Sequence, residues 1–402
     1  MSERELPTDA AIRRIRSIIH SLDLKVITQL EPRTKFVATA SLLDKNGNLV
    51  EFGSGKGPDA LVGALAESIE HYCTFHETSH SKTIRQRGNF IAAQGAAQND
   101  GLLSSLTDDT NEFDCFKLTT LDKKEDLFVP RKILHPHSGA LCSVPQTTPS
   151  HFLDRYSSNS GIAFGCTEAE ALLHGTLEVI ERHILSRLFM SLCSIGDAFS
   201  MHTASEPLIE DALLHDPALI QAAKKLKIII INDFFNVFFA MAFPTIGPGD
   251  MHLSAIGSGC SLDIKIAVQR AISEQLQAEF LYGPDEEISD KKALELISSL
   301  GNLRPLIDFH TIKTLHSPVP NVPVTEGLLT VQQQLKILHH SMTNANMKIY
   351  NRVISRFGES AVTQIYIPGL ERFNMIRNGC WVVPQHILLN KYKSTLPTSR
   401  LC

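Results

Sequence analysis

The sequence predicts an α/β fold in which mixed sheets carry long amphipathic helices, and three observations lead there. β-Prone runs such as "KIIIINDFFNVFFAMAFP" alternate with long helical patterns. Three times, a segment with closely spaced small residues runs into an amphipathic helix: "GSGKGPDALVGALAESIE", "GIAFGCTEAEALLHGTLEVIER" and "GSGCSLDIKIAVQRAISEQLQ". No Pro/Ser linker or low-complexity block divides the chain, so one continuous domain over residues 1–402 is expected.

The elements follow in order. Residues 8–22 read as an amphipathic helix, with Thr8 and Asp9 as its cap and Ile12, Ile15, Ile18 and Ile19 at helical spacing. "KFVATASLLDKNGNLVEFGSGKG" reads as a hairpin turning at Asn46-Gly47-Asn48, and a long helix should follow from Pro58. Residues 80–155 are mixed, with polar turns in "NDGLLSSLTDDTNEF" and a surface loop at "SVPQTTPSHFLDRYSSNSG". The glycine loop "NSGIAFGCT" leads into a helix over residues 168–192. Two strands then flank a turn at Asn232-Asp233, and "SAIGSGCSLDIKIAVQRAISEQLQAEF" repeats strand, glycine turn and helix. "MKIYNRVIS" and "AVTQIYIPGLE" are the last strand-like runs.

Composition excludes several classes. With 43% apolar and 20% charged residues and a formal charge of -5, the chain has no basic footprint for nucleic acid. Acidic residues among the first ten exclude a secretory signal, and no stretch reaches the roughly 18 apolar residues of a spanning helix, which predicts a cytoplasmic protein with no membrane partner. Eight scattered cysteines without a C-x-x-C predict free, buried thiols.

The three helices carry the chemistry. At about 100° per residue, Glu67 and Glu70 lie about 60° apart; Glu170 and Glu181 lie about 20° apart, with Glu178 about 80° from Glu170. The third helix offers Glu274 and Gln277. Leu173, Leu177, Ile180, Ile184 and Leu188 fall on the opposite side of the second. A solvated face is the bland alternative for any one E-x-x-E. Against it, Glu67, Glu70 and Glu170 have no Lys or Arg four residues on, so like charges need another partner. Mg²⁺, bound by carboxylates and substrate phosphates, answers that need, and glycine loops suit phosphate because their N–H groups can approach an anion. "GSGKG" lacks the spacing of a P-loop.

A rival motif sits beside the first pair. His76 to His80, "HETSH", spells the H-E-x-x-H of zinc proteases. Helix arithmetic puts His76 about 180° from Glu67, on the arc of Leu61, Leu65, Ile69 and Tyr72, so it is read as a core or capping histidine and His80 as a surface one.

"GKG" with "ALAESIE" at residues 55–70, "NSGIAFGCTEAEALLHGTLEVIERH" at 159–183, "GSGCSLDIKIAVQRAISEQLQ" at 257–277 and "YIPGLE" at 366–371 together resemble the YcaO family. The resemblance implies a YcaO-type fold around a Mg-ATP site and an ATP-dependent enzyme that phosphorylates an amide oxygen, usually in a ribosomal peptide backbone, giving an azoline or thioamide. It implies Glu67, Glu70, Glu170, Glu178, Glu181 and Glu274 as Mg²⁺ ligands or their supports, and Ser54, Lys56, Ala163, Cys166, Arg182, Arg270 and Gln277 as nucleotide contacts, with Glu178, Glu181 and Arg182 catalytic. It also implies a homodimer and, for a peptide substrate, a separate E1-like or TfuA-like partner.

Three departures stand out: Gly63 where the family commonly has Ser, Cys166 where many members have Asn, and only Pro397 where azoline-forming members often carry a Pro-x-Pro-x-Pro tail. The last favours thioamide formation or a small-molecule amide such as a nucleobase, activated by phosphorylation or adenylation. A non-catalytic nucleotide-binding partner is the remaining alternative.

Overall fold

The computed structural model describes residues 3–32, 35–76, 83–136, 149–248, 252–310, 312–315 and 329–393. Its strands are β1 (Lys25–Leu30), β2 (Val37–Leu43), β3 (Leu49–Lys56), β4 (Ile84–Arg87), β5 (Glu112–Thr120), β6 (Asp126–Pro130), β7 (Ile162–Gly165), β8 (His202–Thr203), β9 (Leu226–Ile231), β10 (Phe238–Pro244), β11 (Gly257–Ser261), β12 (Tyr350–Phe357) and β13 (Ser360–Tyr366). They form three sheets: β1-β2-β3; β4-β5-β12-β13-β7 with β6 on β5; and β11-β10-β9-β8. All pairings between these strands are antiparallel.

Four helices position the site: α1 (Thr8–Ser21), α2 (Ala60–Phe75), α3 (Glu168–Leu192) and α4 (Ile264–Leu281). Strands β3, β7 and β11 each end a sheet, and each runs directly into a helix, α2, α3 and α4 respectively. The small residues permit this. A Cβ on Gly55 would stand 1.8 Å from the Ala60 carbonyl oxygen, and one on Gly257 would stand 2.1 Å from that of Ala271, so each helix lies directly on its own strand. The expectation of phosphate-cradling glycine loops is therefore corrected. Gly53, Gly55, Gly257 and Gly259 belong to strands, and their role is close packing.

Helix α3 buries Leu173, Leu177, Ile180, Ile184 and Leu188 in the largest apolar cluster, each contributing on the order of 2 kcal/mol. Thr167 caps it, its hydroxyl accepting from the Glu170 N–H at 3.2 Å. A second cluster joins α1, α2 and the small sheet, and a third joins α4 to the β8–β11 sheet.

Some local expectations change. The hairpin gains β1 as a third strand. Helix α1 takes Pro7 as its N-cap residue, and Thr8 uses its hydroxyl on Asp59 Oδ1 instead, at 2.6 Å. The turn after β9 is longer than Asn232-Asp233, because Phe235 and Asn236 sit at φ 49° and 57°. Of the expected surface loop, residues 149–154 are helical and its earlier residues lie outside the described set. The six described cysteines are free and buried. No helix among the described residues is long and apolar enough to cross a membrane.

Candidate functional site

The strand–helix units β3–α2, β7–α3 and β11–α4 converge on a cavity of about 410 Å³. Ser54, Lys56, Glu67, Glu70, Ala163, Glu178, Glu181, Arg182, Arg270, Glu274 and Gln277 all line it, brought together from positions more than 200 residues apart. Glu170 and Cys166 do not. Glu170 is 2% exposed and lies behind the wall, where Arg4 Nη1 approaches to 3.6 Å and the Glu5 N–H donates to it at 3.4 Å. Cys166 is buried too, its thiol pushed up to about 11 by desolvation, while its carbonyl oxygen accepts from Arg14 and Ser360.

Sheet edges explain how the carboxylates are held. An edge strand leaves alternate N–H groups without a ladder partner, and buried ones must be satisfied. The Ser54 N–H of β3 donates to Glu67 Oε2 at 2.7 Å, and the Phe164 N–H of β7 donates to Glu70 Oε1 at 2.7 Å. The Gly161 N–H, just before β7, donates to Glu178 Oε2 at 3.2 Å, and the Ser258 hydroxyl of β11 donates to Glu181 Oε1 at 2.7 Å. The acids thus stitch three separate sheets to one centre.

Each of the three units also brings a cation. Lys56 Nζ pairs with Glu274 Oε2, and Arg270 pairs with Glu3. Arg182 Nε lies 3.9 Å from Glu178 Oε1, the i,i+4 partner that Glu67, Glu70 and Glu170 lack. Burial works against the Arg182 charge, but Glu181, Glu274 and Glu178 together raise its pKa above the usual value. Burial raises Glu70 to about 8, with the charges of Glu67 and Glu178 adding to it against the Phe164 N–H. Burial likewise raises Glu178 to about 7, with Arg182 opposing and Glu181 assisting. Burial also raises Glu170, against Arg4.

Among the described residues no three His, Cys, Asp or Glu side chains form a ready-made metal cage. The donor set nevertheless suits Mg²⁺, whose shell keeps waters and phosphate oxygens beside one or two carboxylates. Crowded, partly protonated carboxylates facing Lys56, Arg182 and Arg270 fit a divalent cation carrying a polyphosphate.

Sequence reasoning missed several polar lining residues, among them Arg4, His71, Asn159, His174 and Ser258. Helix counting could have found two, since His71 and His174 lie four residues after Glu67 and Glu170. His71 Nε2 is 3.8 Å from Glu67 Oε1. His174 is kept neutral by burial and by the nearby charges of Arg270 and Arg4, which hold its pKa well below the ordinary value.

Gly63 also lines the cavity, and a Cβ there would meet Gly55 Cα at 3.2 Å. The "HETSH" histidine His76 is at the C-cap of α2, exposed rather than in the core; it stacks on Tyr72 and bonds Glu51 at 2.8 Å. Its motif partners Glu77 and His80 lie outside the described residues.

Two further spaces adjoin the cavity. A cleft of about 680 Å³ shares Ser54, Asn159, Glu178, Arg182, Glu274 and Gln277 with it. A space of about 480 Å³ shares Arg4, Lys56, His174 and Arg270.

The profile of a family described as YcaO cyclodehydratase, ATP- and Mg²⁺-binding, matches residues 53–371. No curated protein matches the chain. Among solved structures, a YcaO protein from Methanopyrus kandleri bound with AMPPCP and Mg²⁺ is similar at a TM-score of 0.58 and 15% identity, over 95% of this chain and 96% of that one. A heterocyclase in complex with substrate and cofactor is similar at 0.59 and 15%, over 92% of this chain, which spans only 54% of that protein. The E. coli microcin synthetase McbBCD complex contains a chain similar at 0.52 and 16%, with 86% of each covered.

Proposed function

This chain belongs to the YcaO family of ATP- and Mg²⁺-binding proteins, and from that premise we propose that it activates an amide oxygen by phosphorylation, in a peptide backbone, on the way to a thioamide or azoline. The observation that carries the reading is the convergence of three sheet edges, each delivering a carboxylate-bearing helix, on one cavity that also holds Lys56, Arg182 and Arg270. Similar folds occur in a heterocyclase solved with its substrate and in the microcin synthetase McbBCD complex with pro-MccB17 bound, and the latter supports a separate partner protein and a precursor substrate here.

The chain's own residues would divide the work. Glu67, Glu70, Glu178 and Glu181 supply hard oxygens for Mg²⁺ on one side. Lys56, Arg182 and Arg270 answer phosphate charge on the other, where positioning and electrostatics supply most of phosphoryl-transfer catalysis. Bound Mg-ATP supplies the phosphoryl group that converts the amide oxygen, once a nucleophile has added to its carbon, into a phosphate leaving group. Glu178, Arg182, Glu274 and Gln277 border both the cavity and the 680 Å³ cleft, so the cleft is where the amide would meet them. Glu170 acts behind this wall as a support.

The test is ATP consumption with the candidate precursor peptide and partner. Glu181→Ala should lose activity by about a thousandfold, as expected for removing a group that holds the metal–phosphate centre, with the fold retained by circular dichroism. Undiminished consumption in this variant would overturn the reading. Sulfide against cysteine as nucleophile, followed by mass spectrometry, separates the thioamide from the azoline.

A further inference from the structure

The chain's first described residues form a strap across the site. Ser261 Oγ donates to Glu3 Oε1 at 2.6 Å, and Glu3 Oε2 pairs with Arg270. Arg4 reaches Glu170 at 3.6 Å and Asp59 at 3.7 Å, the Glu5 N–H donates to Glu170, and Thr8 donates to Asp59. Asp59 precedes α2, Glu170 lies in the first turn of α3, and Ser261 and Arg270 belong to β11 and α4. A single short segment therefore touches all three units that converge on the cavity.

Glu3 has a particular place in this arrangement. It is 6% exposed and lines the 480 Å³ space but not the carboxylate cavity, whereas Arg270 lines both. Its carboxylate therefore lies behind the guanidinium and leaves the cavity-facing side open. Arg270 is held at two further points, with Nη1 donating to the Cys260 carbonyl oxygen at 3.1 Å and Nη2 3.3 Å from His174 Nδ1. A long, flexible arginine side chain gives up rotamer freedom when fixed, so fixing it before the ligand arrives lowers the cost of binding. A carboxylate behind a ligand-contacting group does this elsewhere, as behind metal-bound histidines.

We propose that Glu3 is a positioning residue of the nucleotide site, holding Arg270 aimed into the cavity for a phosphate group. The inference rests on the assignment of Arg270 to ATP made above. Glu3 neither enters the reaction nor competes with the phosphate; it sets the geometry and charge of the group that meets it.

Calorimetric titration of the full chain with Mg²⁺ and AMPPCP tests this. Glu3→Gln, which keeps the shape and removes the charge, should weaken binding about tenfold, and Glu3→Asp should recover most of the loss. In basal ATP hydrolysis the same variants should raise KM while kcat stays within about twofold, a split that a general loss of folding would not give. Ser261→Ala, which releases one Glu3 oxygen without changing any charge, should weaken binding about threefold and keeps the test readable if Glu3→Gln fails to fold. Arg270→Ala separates the two layers. If it weakens binding and the Glu3 variants bind as well as or better than wild type, the positioning role is overturned and the site stands; if Arg270→Ala also leaves binding unchanged, the site assignment itself falls.

Discussion

The α2 side and the α4 side of the cavity solve the same problem differently. On α2, Glu67 and Glu70 are held by strand N–H groups, and burial with neighbouring acids keeps Glu70 at about 8. On α4, Glu274 is paired with Lys56, and Arg270 is paired with Glu3. One side is an acid-rich surface short of positive charge; the other is already compensated. Helix α3 joins them, with Glu178 facing Arg182. Under the proposed function, this asymmetry would set the metal ion among Glu67, Glu70 and the α3 acids, and the phosphates against Lys56, Arg182 and Arg270.

The sharpest way to break this comparison is to disable one side at a time. Glu70→Ala should lower ATP turnover about a hundredfold and abolish the Mg²⁺-induced rise in Tm, whereas Lys56→Ala should raise KM for ATP about tenfold and leave the Mg²⁺ response largely intact. Equal effects of the two variants on both readouts would erase the distinction between the sides.

A smaller effect follows from pH. Glu70 and Glu178 have folded pKa values of about 8 and about 7 against 4.5 in the free residue. The folded protein therefore binds more protons than the unfolded chain across this window, and these groups make the metal-free protein less stable as pH rises through it. Mg²⁺ requires the ionised forms, so its stabilising effect has the opposite slope. Thermal melts should show a Tm gain from Mg²⁺ with AMPPCP that is larger at about pH 8 than at about pH 6. A gain that shrinks toward pH 8 would move the metal away from these two acids.

Gly63 and His76 probe the ends of α2. Gly63→Ser places a side chain where 3.2 Å separates a Cβ from Gly55 Cα, so a stability loss of about 1 kcal/mol is expected, measured by urea unfolding. His76→Ala should leave ATP consumption unchanged, because this exposed side chain bonds Glu51 and does not line the cavity. Loss of bound zinc together with activity in that variant would revive the protease motif.

Much of this arrangement is legible in the chain. Helical counting puts Glu67 and Glu70 on one stripe, and they do line one cavity. It also turns Leu173, Leu177, Ile180, Ile184 and Leu188 toward the core, where they are buried. The same counting misjudged Glu170: its register suits the stripe, but at the first turn of α3 it meets Arg4 behind the wall. It misjudged the glycines as well, because "GSGKG" looks the same in a loop as in a strand pressed against its own helix. His76 ended exposed because α2 stops at Phe75 before the core arc can be continued.

By itself, the sequence determined the strand–helix units, the faces of their helices and the family, since each depends on periodicity or on motifs within one segment. Only the tertiary structure decided which carboxylates share a cavity, which cation answers which acid, and that Glu3 stands behind Arg270 across more than 260 residues of chain. Those pairings depend on where three sheet edges meet and on which groups lose water there. No local pattern encodes the distance between segments or the burial that shifts their charges.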